Sequence, residues 1–207
     1  MKPTTHTRLC PLQCRWPEPP LQVALIEPEI PPNTGNIARL CAATGTRLHL
    51  VGRLGFRLND ATLRRAGLDY WDAVDLERHA DPAALFQRVT PAPCYFFSTR
   101  GAIHYASVRY RPGDTLVFGC ETRGLPEELL NAHPDRVIGI PMRSDRVRSL
   151  NLANAVAIVL YEALRQMQKP DIGQRTTDTG PEKKEAIADA RPLADPPSAG
   201  KSALPVG

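Results

Sequence analysis

Residues 140–163 read IPMRSDRVRSLNLANAVAIVLYEA. The stretch leaves a strand over Val137–Ile140 and crosses an arginine-rich loop. It then enters a helix that is apolar on nearly every side from Ala153 to Leu160, Asn154 excepted. A helix without a polar face must be covered all round, and this apolar run is shorter than the roughly 20 residues of a membrane span. A basic loop is thus fastened to an element held in a core or at a subunit interface, which is how an adaptable loop gains a rigid support.

Outside this stretch, the 207 residues predict one domain with extensions: an unstructured leader over 1–20, a folded domain over 21–168 and an unstructured tail over 169–207. The formal charge of +4 permits an acidic partner such as RNA without requiring one. Between Leu21 and Gln168 every Lys/Arg-type cation is Arg, the better phosphate fork, although genome base composition produces the same bias. The leader lacks the apolar stretch of a signal peptide. Five cysteines without a paired CxxC argue against both a disulfide framework and a zinc site, and the five histidines are scattered. The expectation is a soluble, cytoplasmic protein with no membrane segment and no metal.

Gln22–Ile26 (QVALI) is a short apolar strand of the doubly buried kind. The loop EPEIPPNTGN (27–36) follows, its prolines opposing helix until Asn33 or Thr34 caps one starting near Asn36. That helix sets Ile37, Leu40, Cys41 and Thr44 on one face. Arg39, about 200° from Ile37, points away from the core. Gly45 ends the helix, and Arg47–Val51 is the next strand. Strand, helix and strand in about thirty residues make a βαβ unit and hence a parallel sheet. A short helix carrying Arg64 and Arg65 is expected before Leu68, a helix over Pro82–Val89, and further strands at Cys94–Ser98 and Leu116–Gly119. Pro126 followed by Glu127 and Glu128 marks another helix start.

In an open parallel sheet, ligands bind beyond the carboxyl ends of the strands. Four such ends carry unusual loops: EPEIPPNTGN, STRG (98–101), GCETRGLP (119–126) and IPMRSDRVRSLN (140–151). One composite site explains four such loops on one edge better than turn punctuation does. The dinucleotide, P-loop, serine-hydrolase and zinc-protease signatures are all absent from the sequence. What remains is backbone amides, apolar walls, Glu27, Glu121, Asn151, Ser149 and the arginines 39, 123 and 148, a set suited to a heterocycle and a phosphate-bearing partner.

The strings EPEIPPNTGNIARLCAATG, LRRAGLDYWD, FGCETRGLP and IPM…RSLNLANAVAIVLYEA resemble the SPOUT methyltransferase superfamily. Within it, they are similar to the TrmL (YibK-type) tRNA (cytidine/uridine-34-2′-O)-methyltransferases, over roughly Leu21–Gln168. The resemblance implies an α/β fold, a SPOUT-type parallel sheet flanked by helices with a C-terminal deep trefoil knot. It further implies S-adenosyl-L-methionine as cofactor, the tRNA anticodon stem-loop as partner, and a homodimer paired through the C-terminal helix. Carried over by position, the cofactor-binding residues are Phe97, Gly119, Ile140, Met142, Ser149 and Leu150. The catalytic set is Arg39, Arg148 and Tyr161, with Tyr161 reaching the partner subunit's site.

The reaction so implied is methyl transfer to the ribose 2′-hydroxyl of wobble nucleotide 34. Glu121 is expected to organise its loop and Asn151 to cap the last helix; Arg64, Arg65, Arg143 and Arg146 are candidates for the RNA backbone. Two departures stand out: the 143–149 loop is longer and more basic than the family's, and position 97 is Phe where an aliphatic residue is usual. The competing readings are 2′-O-methylation elsewhere in tRNA or rRNA, a non-catalytic dimeric RNA-binding protein and, more remotely, a Rossmann-like oxidoreductase.

Overall fold

The computed structural model describes residues 14–57, 73–143 and 146–168. The expectations for residues 1–13, for the helix with Arg64 and Arg65, for Ser144 and Asp145, and for the tail from 169 onward lie outside the described residues. Those described fall within one compact unit, Met1–Asp171.

Seven strands are described: β1 (Gln22–Ile26), β2 (Arg47–Val51), β3 (Leu76–His79), β4 (Cys94–Phe97), β5 (Ile103–His104), β6 (Thr115–Phe118) and β7 (Val137–Gly139). They form a single sheet in the order β3-β2-β1-β6-β4-β7-β5, every pairing parallel. The helices are α1 (Pro31–Thr44), α2 (Pro82–Val89), α3 (Glu127–Ala132) and α4 (Leu152–Met167). Alternation along the strands splits the core in two. Val23, Leu25, Leu48, Leu50, Phe97, Leu116, Phe118 and Ile138 meet α1 and α4 through Ile37, Cys41, Val156 and Leu160. Ala24, Ile26, Val51, Phe96, Val117 and Val137 meet α2 and α3 through Leu85, Val89 and Leu130. Apolar runs buried on both faces are what an all-parallel sheet requires.

Three local readings change. Helix α1 begins at Pro31, not near Asn36, because proline in the first turn has no N–H to lose and its fixed φ suits a helix. Its cap is Ile30, without a side-chain hydrogen bond, so neither Asn33 nor Thr34 serves. Helix α3 starts one residue late, with Pro126 as N-cap. The strands β3 (LERH) and β5 (two residues) leave no apolar pattern in the sequence, since both are short edge elements carrying polar residues.

Helix α4 is capped by Asn151, whose Oδ1 accepts from the N–H groups of Ala153 and Asn154. Val156, Val159, Leu160, Ala163 and Leu164 are buried, the valines and leucines contributing about 1.5–3 kcal/mol each and the alanine methyl less. The opposite stripe, Asn154, Ile158, Tyr161 and Arg165, is exposed. Within one chain the helix is therefore covered on one side only, unlike the all-round burial its apolarity suggests. No helix among the described residues is long and apolar enough to cross a membrane.

Candidate functional site

The strands β1, β6, β4 and β7 are consecutive neighbours in the sheet although scattered in the chain. Because all run parallel, their carboxyl ends share one edge, and the loops after them converge. They enclose a cavity of about 800 Å³, within the range of small-molecule sites. The walls are apolar at Phe97, Phe118, Leu125, Ile138, Ile140 and Leu150, and polar at Asn33, Ser98, Glu121, Thr122, Arg148 and Asn151. All four loops singled out from the sequence contribute.

The polar side is organised by one carboxylate. Glu121 accepts from the backbone N–H of Glu29 (2.8 Å) and of Ile30 (3.3 Å) and from Asn33 Nδ2 (2.8 Å). It thereby does from another loop what α1's own N-cap does not, placing an anion at the helix's positive end. Asn33 Oδ1 in turn accepts from Asn151 Nδ2 at 3.0 Å, and Asn151 caps α4. One relay, Glu121–Asn33–Asn151, thus fixes the starts of α1 and α4 against the 119–124 loop. In return Glu29 accepts from the Thr122 hydroxyl (2.9 Å) and backbone N–H (3.2 Å).

Backbone approach is closest at Gly119 and Gly101. A Cβ on Gly119 would lie 2.0 Å from the Gly124 carbonyl carbon, and one on Gly101 would lie 2.2 Å from that of Ile138. Only hydrogen fits at either position. The rim carries two exposed ion pairs, Arg100–Glu127 (2.7 Å) and Arg123–Glu27 (3.1 Å). Glu27 also bends the chain off β1 with φ 50, a left-handed conformation costly for a side chain with a Cβ. Thiol nucleophiles are not on offer in the core: burial pushes Cys41 up to about 12 and Cys94 up to about 11.

Of the residues predicted from the sequence, Phe97, Gly119, Ile140, Met142, Arg148, Ser149 and Leu150 all line the cavity. Arg39 and Tyr161 do not: Arg39 is exposed on α1, and Tyr161 is 55% exposed on α4. Phe97 stacks on Phe118, ring centroids 4.7 Å apart, so its aromatic ring is accommodated by the floor of the cavity. Asn33, which the sequence offers only as a cap, belongs to the site, and its signal is its place directly after the two prolines that start α1. The histidines are less scattered than the sequence suggests, for His49 and His79 adjoin away from this cavity.

The model of the SpoU rRNA Methylase family matches residues 20–161. The chain is 50% identical over 151 residues to the tRNA (cytidine(34)-2′-O)-methyltransferase of Escherichia coli (strain K12), covering 72% of this chain and 96% of that one. A solved structure described as giving insights into the 2-OH methylation of C/U34 on tRNA superposes with a TM-score of 0.67 at 49% identity, over 70% of this chain and 95% of its own. The SpoU methyltransferase AviRb from Streptomyces viridochromogenes, solved in complex with AdoMet, superposes with a TM-score of 0.64 at 26% identity, over 75% and 62%.

Proposed function

Since the chain belongs to the SpoU rRNA methylase family, we infer that it is an S-adenosyl-L-methionine-dependent tRNA methyltransferase acting on the ribose 2′-hydroxyl of cytidine or uridine 34 in the anticodon loop. The observation that carries this reading is the cavity itself: a single chamber walled by all four loops, apolar on its floor and polar along one rim. The donor set fits the cofactor. Apolar walls would take a flat heterocycle, backbone groups at Gly119 would supply N–H and C=O partners for its edge, and Ser98 would meet its polar parts. When bound, the cofactor supplies an electrophilic methyl on a positively charged leaving group.

The chain's own task is alignment and help with a weakly acidic proton. In this reading Phe97, Gly119, Ile140, Met142, Ser149 and Leu150 hold the cofactor, and the Glu121 relay keeps their loops in register. Holding the reactants in line supplies several kcal/mol, up to about 7–11 in ideal cases. Arg148, exposed at the cavity mouth, and Arg39, exposed on α1, grip the RNA. A guanidinium stays protonated because its pKa exceeds about 12. Arg39 therefore works by clamping phosphate and polarising the hydroxyl, the proton leaving to phosphate or water.

The finer architecture follows the same family. The 140–151 segment and α4 form a deep trefoil knot, and two chains pair through α4 in the cytoplasm. Supporting the pairing, Ile158 (37% exposed) and Tyr161 (55%) are large apolar groups left open on the outer stripe of α4. Pairing there brings Tyr161 to the partner's cavity and covers the stripe that one chain leaves bare.

The test is methylation of a tRNA transcript carrying C34, followed by nucleoside mass spectrometry with position mapping. Wild type is expected to give 2′-O-methylcytidine at 34. Arg39→Ala is expected to bind S-adenosylhomocysteine normally while losing turnover by a hundredfold or more, about 2.7 kcal/mol. Loss of cofactor affinity in that variant refutes the role given to Arg39.

A further inference from the structure

The face of the sheet opposite α1 and α4 carries a second group of chemically capable side chains. Strands β2 and β3 pair in parallel with His49 opposite Glu77, and His79 lies two residues beyond Glu77. A period of two puts all three side chains on one face. His49 Nδ1 lies 2.8 Å from His79 Nε2, and Glu77 Oε2 lies 3.9 Å from each of these nitrogens. At 3.9 Å the carboxylate oxygen bonds to neither ring, yet it faces both. A point equidistant from corners set 2.8, 3.9 and 3.9 Å apart is about 2.1 Å from each, the zinc-to-imidazole and zinc-to-carboxylate bond length.

The surroundings prepare these atoms as ligands. Gln22 Nε2 donates to the Gly113 carbonyl at 2.8 Å, which turns Gln22 Oε1 toward His49 Nε2 at 2.9 Å. The proton of His49 accordingly sits on Nε2, and Nδ1 presents a lone pair to the gap. A ligating histidine usually donates its other N–H in this way. Glu77 is held by its other oxygen, Oε1, which accepts from Arg88 at 2.7 Å and pairs with Arg47 at 3.4 Å. Those two cations moderate the affinity while leaving Oε2 directed at the rings. The His49 side chain is fully buried, that of His79 is 9% exposed and that of Glu77 27%, so one side stays open for entry and for a water as fourth ligand.

We propose that His49 Nδ1, His79 Nε2 and Glu77 Oε2 form a zinc-type divalent metal site, separate from the cavity, that clips the outer strand β3 to β2. Binding shifts the His79 proton from Nε2 to Nδ1, parts the two ring nitrogens by about 0.6 Å and draws Glu77 Oε2 in by about 0.5 Å to reach tetrahedral spacing. None of this depends on the methyl-transfer reading, so the two stand or fall separately.

The test uses the full chain, stripped with chelator and dialysed, then titrated with Co²⁺ under visible spectroscopy. One equivalent is expected to give the absorption of a four-coordinate site that Zn²⁺ then bleaches. Zn²⁺ at a hundredfold excess over its Kd is expected to raise the melting midpoint by about 5–10 °C. His79→Ala and Glu77→Gln should each weaken uptake at least tenfold, while His104→Ala, at an exposed histidine elsewhere, should not. Glu77→Gln keeps the side chain's shape, so it decides the matter even where His79→Ala fails to fold. Folded wild-type protein that takes up no ion at tens of micromolar, or uptake undiminished in Glu77→Gln, overturns the proposal and leaves a simple histidine–histidine hydrogen bond.

Discussion

Replacing Glu121 by alanine is the most telling perturbation of the cavity, because three donors from a different loop lose their acceptor together. Two of the bonds are short, 2.8 Å to Glu29 N and to Asn33 Nδ2, and the third, to Ile30 N, is 3.3 Å. A hydrogen bond to a charged group is worth about 1.5–3 kcal/mol net when both partners are buried. Glu121 is only half-buried and Ile30 exposed, so water replaces part of the loss. The expected destabilisation is about 2–4 kcal/mol, a fall in melting midpoint of roughly 5–15 °C for a domain of this size. Because Asn33 also holds Asn151, the start of α4 should loosen, and S-adenosylhomocysteine affinity should fall at least tenfold by calorimetry. Glu121→Gln retains one oxygen but turns an NH₂ toward an N–H donor, so it should fall between wild type and alanine. An alanine variant that melts within about 2 °C of wild type and binds with unchanged affinity refutes the relay.

Gly119→Ala should abolish cofactor binding in the same calorimetric assay and cost several kcal/mol of stability, since the added methyl meets Gly124 backbone at 2.0 Å and nothing flexible can yield. Ile158→Asp should convert a dimer to monomers by light scattering with the fold preserved, because the residue is already 37% exposed in one chain. Glu162 is held down to about 2, first by its hydrogen bond with Arg165 and then by Gln166. A depressed carboxylate contributes stability above its ordinary value of 4.5 and loses it as the pH falls toward 2. Glu162→Gln should therefore flatten the part of the acid-denaturation curve between those limits, an effect kept small by solvent screening of the exposed Arg165.

The central sheet was legible because doubly buried parallel strands leave unbroken apolar runs. Gln22–Ile26 and Arg47–Val51 stand where QVALI and RLHLV place them, and Pro82–Val89 is helical as its pattern indicates. Pattern was silent at β3 and β5, which owe their strand form to neighbours already in the sheet. The convergence of four loops followed from parallel topology, which gives every strand end the same address. The hydrogen-bond relay through Glu121 could not be read, because its partners lie about 90 residues away and nothing local marks them. The pairing of His49 with His79 escaped for the same reason: it depends on strand register, and alternation alone shows only that each side chain points to a face.

The interior position of β1 in the sheet also bears on how the chain comes to be made. One edge of β1 pairs with β2, which follows shortly after it, but the other pairs with β6, and the Gln22 side chain meets Gly113 across 91 positions. During synthesis from the amino end, an apolar strand destined for the centre emerges long before its second neighbour exists. Ordering so distant a contact is slow, and an unsatisfied strand edge is sticky while it waits. Nascent chains halted before Thr115 should bind holdase chaperones, and chains released past Phe118 should let them go.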